Sequence, residues 1–205
     1  IAALLMMRLA PMQRIPRKAT AWHEILDGLR YVWQDDRLRM LISNIGITTL
    51  FGLSIATLIP LWAVDILGGD AKTNGFLLSA RGLGSLLGAL MIASMSRRQF
   101  RGKMWTIASF ALPLMMIVFA GVRSVPLALL IMAGNGWAFI SLNNTTNAMV
   151  QSQVPDELRG RVMGIYTLVF FGSFPIGSLV AGNLADLVSA PTTLIIFAAI
   201  LLLFA

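Results

Sequence analysis

MLISNIGITTLFGLSIATLIPLWAV, residues 40–64, runs from Met40 to Val64 without a charged side chain. A helix rises 1.5 Å per residue and needs about 20 mostly apolar residues to cross the hydrocarbon of a bilayer, so this stretch reads as a membrane span. The same reading recurs along the chain. Spans are expected at about 40–64, 73–96, 104–122, 126–150 and 162–185, and a further run at 190–205. Ile1–Met7 reads as the end of an earlier span, and both ends of the sequence read as truncated spans. The expected fold class is an all-α polytopic membrane helix bundle.

Composition agrees with lipid as the main solvent. Hydrophobic residues make up 57% of the chain and charged ones 12%, about half the charge of an ordinary soluble domain. A net charge of +7 would point to nucleic acid if it were unplaced, but its placement excludes that. When the loops are assigned alternately to the two sides, every Lys and Arg falls on one side except Lys72, Arg123 and the intramembrane Arg81. The positive-inside rule makes the basic side cytoplasmic and the location the cell (inner) membrane. The chain has no Cys, so thiol chemistry and Cys-ligated metal are excluded, and no motif points to a metal or a cofactor. HExxH, GxSxG and Walker patterns are absent, and no span carries Asp or Glu near its middle, so the chain is not read as an enzyme.

Residues 8–39 are expected to form a cytoplasmic segment. It opens as a basic linker with Pro11, Arg14, Pro16, Arg17 and Lys18, and then turns helical from Thr20 as N-cap. Trp22, Ile25, Leu26, Leu29 and Trp33 recur at helical spacing, with His23, Glu24, Asp27, Arg30 and Gln34 opposite. This pattern suits a helix lying at the membrane interface and equally one packed on the cytoplasmic ends of the spans.

The candidate site comes from polar residues at membrane depth. Arg81 costs from about 2.5 kcal/mol upward in hydrocarbon, and its helical face carries Asn74, Gly84, Ser85 and Gly88, so it is expected to point into the bundle. It reads either as an anion-binding or charge-gating residue of a central cavity or as a structural residue, paired with Asp65 or snorkelling to the outer interface. The fourth span carries Asn135, Trp137, Asn143 and Asn147, and the first carries Asn44, Thr48 and Thr49 at matching depth. Together they form a candidate solute path, interhelical hydrogen bonding being the alternative. The third span has only Thr106 and Ser109 as hydroxyls and reads as a lipid-facing support, while Pro60, Pro113 and Pro175 permit kinks.

Three stretches carry a resemblance. They are Glu24–Trp33 with the following Asp36-Arg37-Leu38, the Gly-rich Gly75–Leu90, and Gln151–Met163 with its Pro-acidic-Leu-Arg-Gly-Arg turn. In these the chain resembles the C-terminal six-helix half of a major facilitator superfamily transporter, more narrowly the transmembrane secretion effector (enterobactin exporter-like) group. The resemblance implies that Ile1–Met7 ends helix six and that the five full spans are helices seven to eleven, followed by a cut helix twelve. It places helix nine on the lipid-facing side, and helices seven, eight, ten and eleven around the cavity. The loop around Ser96–Lys103 is similar to the superfamily's basic motif but lacks its Asp. Asp156 or Glu157 against Arg97, Arg98 or Arg101 would then replace the latch, with Arg159 and Arg161 beside it. The implied function is a secondary exporter of a small amphipathic solute, a drug or siderophore, working with the bilayer and with an N-terminal half of the same polypeptide. An importer of an organic anion and a non-transporting membrane scaffold are the alternatives.

Overall fold

A computed structural model describes residues 21–94 and 98–205, without the side chains of residues 21–24, 98 and 99. The expected end of a span at Ile1–Met7, the basic linker, Thr20 and Arg97 lie outside the described residues. The rest is helical: α1 (Ala21–Gln34), α2 (Asp36–Ile66), α3 (Ala71–Ser94), α4 (Arg98–Gly121), α5 (Val125–Gln153), α6 (Asp156–Val188) and α7 (Ala190–Phe204). Five of these, α2 to α6, are long and apolar enough to cross a membrane. Each of α2, α4 and α6 runs a few residues beyond its charge-free stretch, because polar flanks continue a helix once it is nucleated.

Side chains and backbone at the junctions explain the helix boundaries. Asp35 Oδ1 accepts from the backbone N–H groups of Arg37 (2.9 Å) and Leu38 (3.1 Å), capping α2. Asp70 caps α3 in the same way through Lys72 (3.0 Å) and Thr73 (3.1 Å), after a turn in which Gly68 takes φ +61°, a value that glycine adopts without steric cost. At the end of α4 the Arg123 guanidinium donates to the carbonyls of Ala120 (3.0 Å) and Val122 (2.9 Å), satisfying acceptors that the helix leaves open.

α2 is not uniformly α-helical. It contains π turns at Thr48–Leu53 and Trp62–Ile66, on either side of Ser54 and Pro60. The Ser54 hydroxyl donates back to the Leu50 carbonyl at 2.5 Å, and Pro60 has no N–H to give, so two links of the regular ladder are altered within seven residues.

α3 and α5 form the most extensive pairing of the bundle. A Cβ at Gly84 would strike the carbonyl of Ala133, and one at Gly136 the carbonyl of Arg81, so the two backbones touch where side chains would normally keep them apart. The α2–α6 contact is built likewise, with Gly177 against the Leu50 carbonyl inside the first π turn. α4 shows two faces: Ala108, Leu112, Met116 and Phe119 are buried, whereas Ile107, Phe110, Leu114 and Val118 point outward. The expectation that this helix is simply lipid-facing therefore covers half of it, and the other half packs on α5 and α7. Trp62 stacks on Phe119 at 4.6 Å between ring centres, joining α2 to α4.

The α3–α5 seam is testable. Gly84→Ala and Gly136→Ala are expected to destabilise the protein by about 1–3 kcal/mol or more through overpacking, read as lowered thermal unfolding in detergent. Gly172→Ala, where an added Cβ meets open space, is expected to be neutral or slightly stabilising.

Candidate functional site

Arg81 stands near the middle of α3, where the α3–α5 seam is tightest. Its backbone carbonyl abuts Gly136, and its guanidinium carbon lies 5.7 Å from the centre of the Phe139 ring. A cation over an aromatic face gains about 0.5–2 kcal/mol, which offsets part of the cost of a charge at this depth. One terminal nitrogen is buried and has no hydrogen-bond partner. Among the described residues the ion pairs are Arg39–Asp36, Arg159–Asp156 and Arg161–Asp27, and the pair of Arg81 with Asp65 is not formed. Asp65 is exposed.

The polar residues of α5 divide by burial. Asn135 is 1% exposed and neither end of its amide has a partner, and Ser141 Oγ is likewise buried and unpaired. Trp137, Asn143 and Asn147 are half-buried. The Asn143 carbonyl accepts from the Tyr166 hydroxyl of α6 (3.4 Å), and Asn147 Oδ1 accepts from Gln151 Nε2 (2.6 Å). Asn143 Nδ2 is buried without a partner. Of the α2 residues, Asn44 and Thr48 turn inward and line a small pocket of about 10 Å³ with Ser109 of α4, and Thr49 is fully buried with its hydroxyl unpaired. Asn44 and Thr48 thus face a small pocket shared with α4, α5 and α7, whereas Asn143 meets α6.

A buried donor or acceptor left without a partner costs about 1–3 kcal/mol. Arg81, Asn135, Ser141 and Asn143 bring several such groups together on α3 and α5, an arrangement suited to a polar ligand that enters and leaves.

At the basic end Asp156 pairs with Arg159 on its own helix (2.6 Å), and Arg161 crosses to Asp27 of α1 (3.3 Å). Glu157 is exposed, and Arg101 is half-buried beside Thr145 in a narrow pocket. Arg97 and the side chain of Arg98 lie outside the described residues.

Thr57, Phe139 and Tyr166 escaped the sequence reading, and Ser85, placed there on the face of Arg81, finds a partner. Ser85 Oγ donates to the Gly136 carbonyl (3.2 Å), and Thr57 bonds Ser178 (3.0 Å). Phe139 faces Arg81, and the Tyr166 hydroxyl reaches α5. A tyrosine inside an otherwise apolar span was a visible signal for Tyr166, and Phe139 had none. Trp105 donates through Nε1 to Thr146 Oγ1 (3.0 Å) and ties α4 to α5.

The sequence pattern of a family described as transmembrane secretion effector matches residues 1–205. Among curated proteins the chain is similar to the multidrug efflux pump Tap of Mycolicibacterium fortuitum, 34% identical over 163 residues that make up 79% of this chain and 39% of that protein. It is also similar to the multidrug efflux pump Tap of Mycobacterium tuberculosis (strain ATCC 25618 / H37Rv), 30% identical over 163 residues, 79% of this chain and 38% of that protein. The chain spans about two fifths of the length of the curated relatives it matches. No solved structure matches it.

Because the chain has no native Cys, single-cysteine variants report burial directly. Cysteine at Asn143 or Asn147 is expected to react with a small polar thiol reagent, and cysteine at Thr49 or Ser141 to react at least about tenfold more slowly, since those sites need local opening first.

Proposed function

The chain belongs to the transmembrane secretion effector family of major facilitator transporters, and from that membership we propose that it forms the C-terminal half of a secondary exporter of small amphipathic solutes, drugs or siderophores. It is a multi-pass membrane protein, and in this proposal its basic loops face the cytoplasm of the inner membrane. The N-terminal half of the same polypeptide completes the path and supplies the coupling carboxylate, since no span here carries Asp or Glu near its middle. The two halves alternate access to a site near the midplane.

One observation carries this reading: Arg81 is a cation at membrane depth with a buried, unpaired nitrogen and no acidic partner among the described residues. A residue kept only for structure gains from having its charge neutralised, and here the neutralising group is left to something else. In the proposed site Arg81 meets a polar or anionic group of the solute, and Trp137 stacks on its apolar part. Asn135, Asn143 and Asn147 then exchange hydrogen bonds with the solute as it passes. Asn44, Thr48 and Thr49 support the path from the bundle interior. The cytoplasmic gate draws on Arg97, Arg98, Arg101, Asp156, Glu157, Arg159 and Arg161.

In the full-length protein, Arg81→Ala is expected to slow efflux of a fluorescent drug by about 10- to 100-fold, the loss of one charged hydrogen bond, with normal membrane expression. Arg81→Lys should retain more activity than Arg81→Ala. Unchanged efflux in the alanine variant would remove Arg81 from the path, and solute accumulation driven by the protein in intact cells would favour the importer of an organic anion.

A further inference from the structure

A second polar cluster lies inside the bundle, apart from Arg81, in the pocket between α2, α4, α5 and α7. Its polar lining is Asn44 and Thr48 of α2 and Ser109 of α4, each more than nine-tenths buried, and the rest of the wall is apolar. Two of these groups need a partner. Asn44 Oδ1 and Ser109 Oγ are closed off from the surroundings, and neither makes a hydrogen bond. A third acceptor comes from Pro113. Having no N–H, it leaves the carbonyl of Ser109, four residues earlier, without its helical donor. Ser109 and Pro113 both line the pocket, so that carbonyl lies on the same face of α4.

Size and chemistry limit what can join these groups. The pocket measures about 10 Å³, close to the roughly 10–15 Å³ that one buried water needs. A drug-sized solute occupies a site of about 300–1,000 Å³, far beyond this space. A hard metal cation calls for charged oxygen ligands, and among the described residues no carboxylate lines the pocket. An apolar group would leave the amide oxygen and the hydroxyl as they are, buried and unbonded.

From this geometry we infer that the pocket is a binding site for one structural water. The water donates to Asn44 Oδ1 and to the Ser109 carbonyl, and it accepts from the Ser109 or the Thr48 hydroxyl. A buried water typically makes about three hydrogen bonds, so a single molecule satisfies the cluster. The bridge joins α2 to α4 at Asn44, one turn before the π turn of Thr48–Leu53 begins. It assigns Asn44 to holding the two helices together rather than to contact with a solute.

The test uses the purified full-length protein in detergent, exposed to pulsed X-ray radiolysis in water enriched in heavy oxygen. Radicals formed from a bound water label the side chains beside it. Leu112 and Leu142 line the pocket and are each 1% exposed, so label on them comes from water inside the protein. Both leucines are expected to take up label, and Phe119, equally buried on α4 but outside the pocket lining, is expected to stay unlabelled. Asn44→Leu, similar in size but without the acceptor, should lose the label at both leucines. Thermal unfolding gives a second readout. Asn44→Leu and Ser109→Val, which fills the pocket and removes the hydroxyl, should each lower the midpoint. The double variant should fall no further than the lower of the two, because either change already displaces the water. Unlabelled leucines in the wild type, label that survives Asn44→Leu, or fully additive shifts would each overturn the inference. None of these readouts depends on transport, so they stand apart from the proposed export.

Discussion

Everything else in this bundle depends on how closely α3 and α5 approach. In lipid there is little hydrophobic gain from bringing two apolar helices together, because the tails they leave are as apolar as the side chains they meet. What remains is van der Waals contact, and that grows steeply as backbones approach. Gly84 and Gly136 remove the two Cβ atoms that would hold these helices apart. The seam they make is also where Arg81 is fixed, since its carbonyl is part of the contact and its side chain is left to reach Phe139. Packing and candidate chemistry are therefore one construction.

The bundle pays for its polarity unevenly. Some buried polar groups are fully used: the Thr146 hydroxyl accepts from Trp105 and donates to the Leu142 carbonyl (2.8 Å). Others, such as the Asn135 amide, have neither end bonded. The first kind stabilises a fixed arrangement of helices. The second destabilises the bundle by itself and is tolerated where a water or a passing solute completes the bonding.

Much of this was legible in the sequence, for particular reasons. Charge-free runs identify spans because a charge in hydrocarbon is costly, and the absence of one from Met40 to Val64 carries that information in composition alone. Arg81 stood out for the same reason. The fate of its charge did not, because an ion pair with Asp65 depends on where two helices place their side chains. α4 shows another limit: an apolar face turned to lipid and one turned to a neighbouring helix have the same composition, so its two-sidedness was hidden. Which neighbour Asn44 and Thr48 meet is decided by helix rotation, which composition and spacing leave open. That rotation is altered by the π turn at Thr48–Leu53, which no residue pattern announces.

That π turn has a consequence for how α2 carries motion. A π turn amounts to one residue added to an α-helix, so everything beyond it is turned by about 100° relative to an unbroken helix. The two ends of α2 are therefore set at different phases, with Asn44 on one side of the irregularity and Trp62 on the other. If the extra residue shifts by one turn along the chain, the segment it passes rotates while both ends stay anchored in their packing. α2 is then closer to a screw joint than to a rod, and Gly177 of α6 rests against its thread at Leu50.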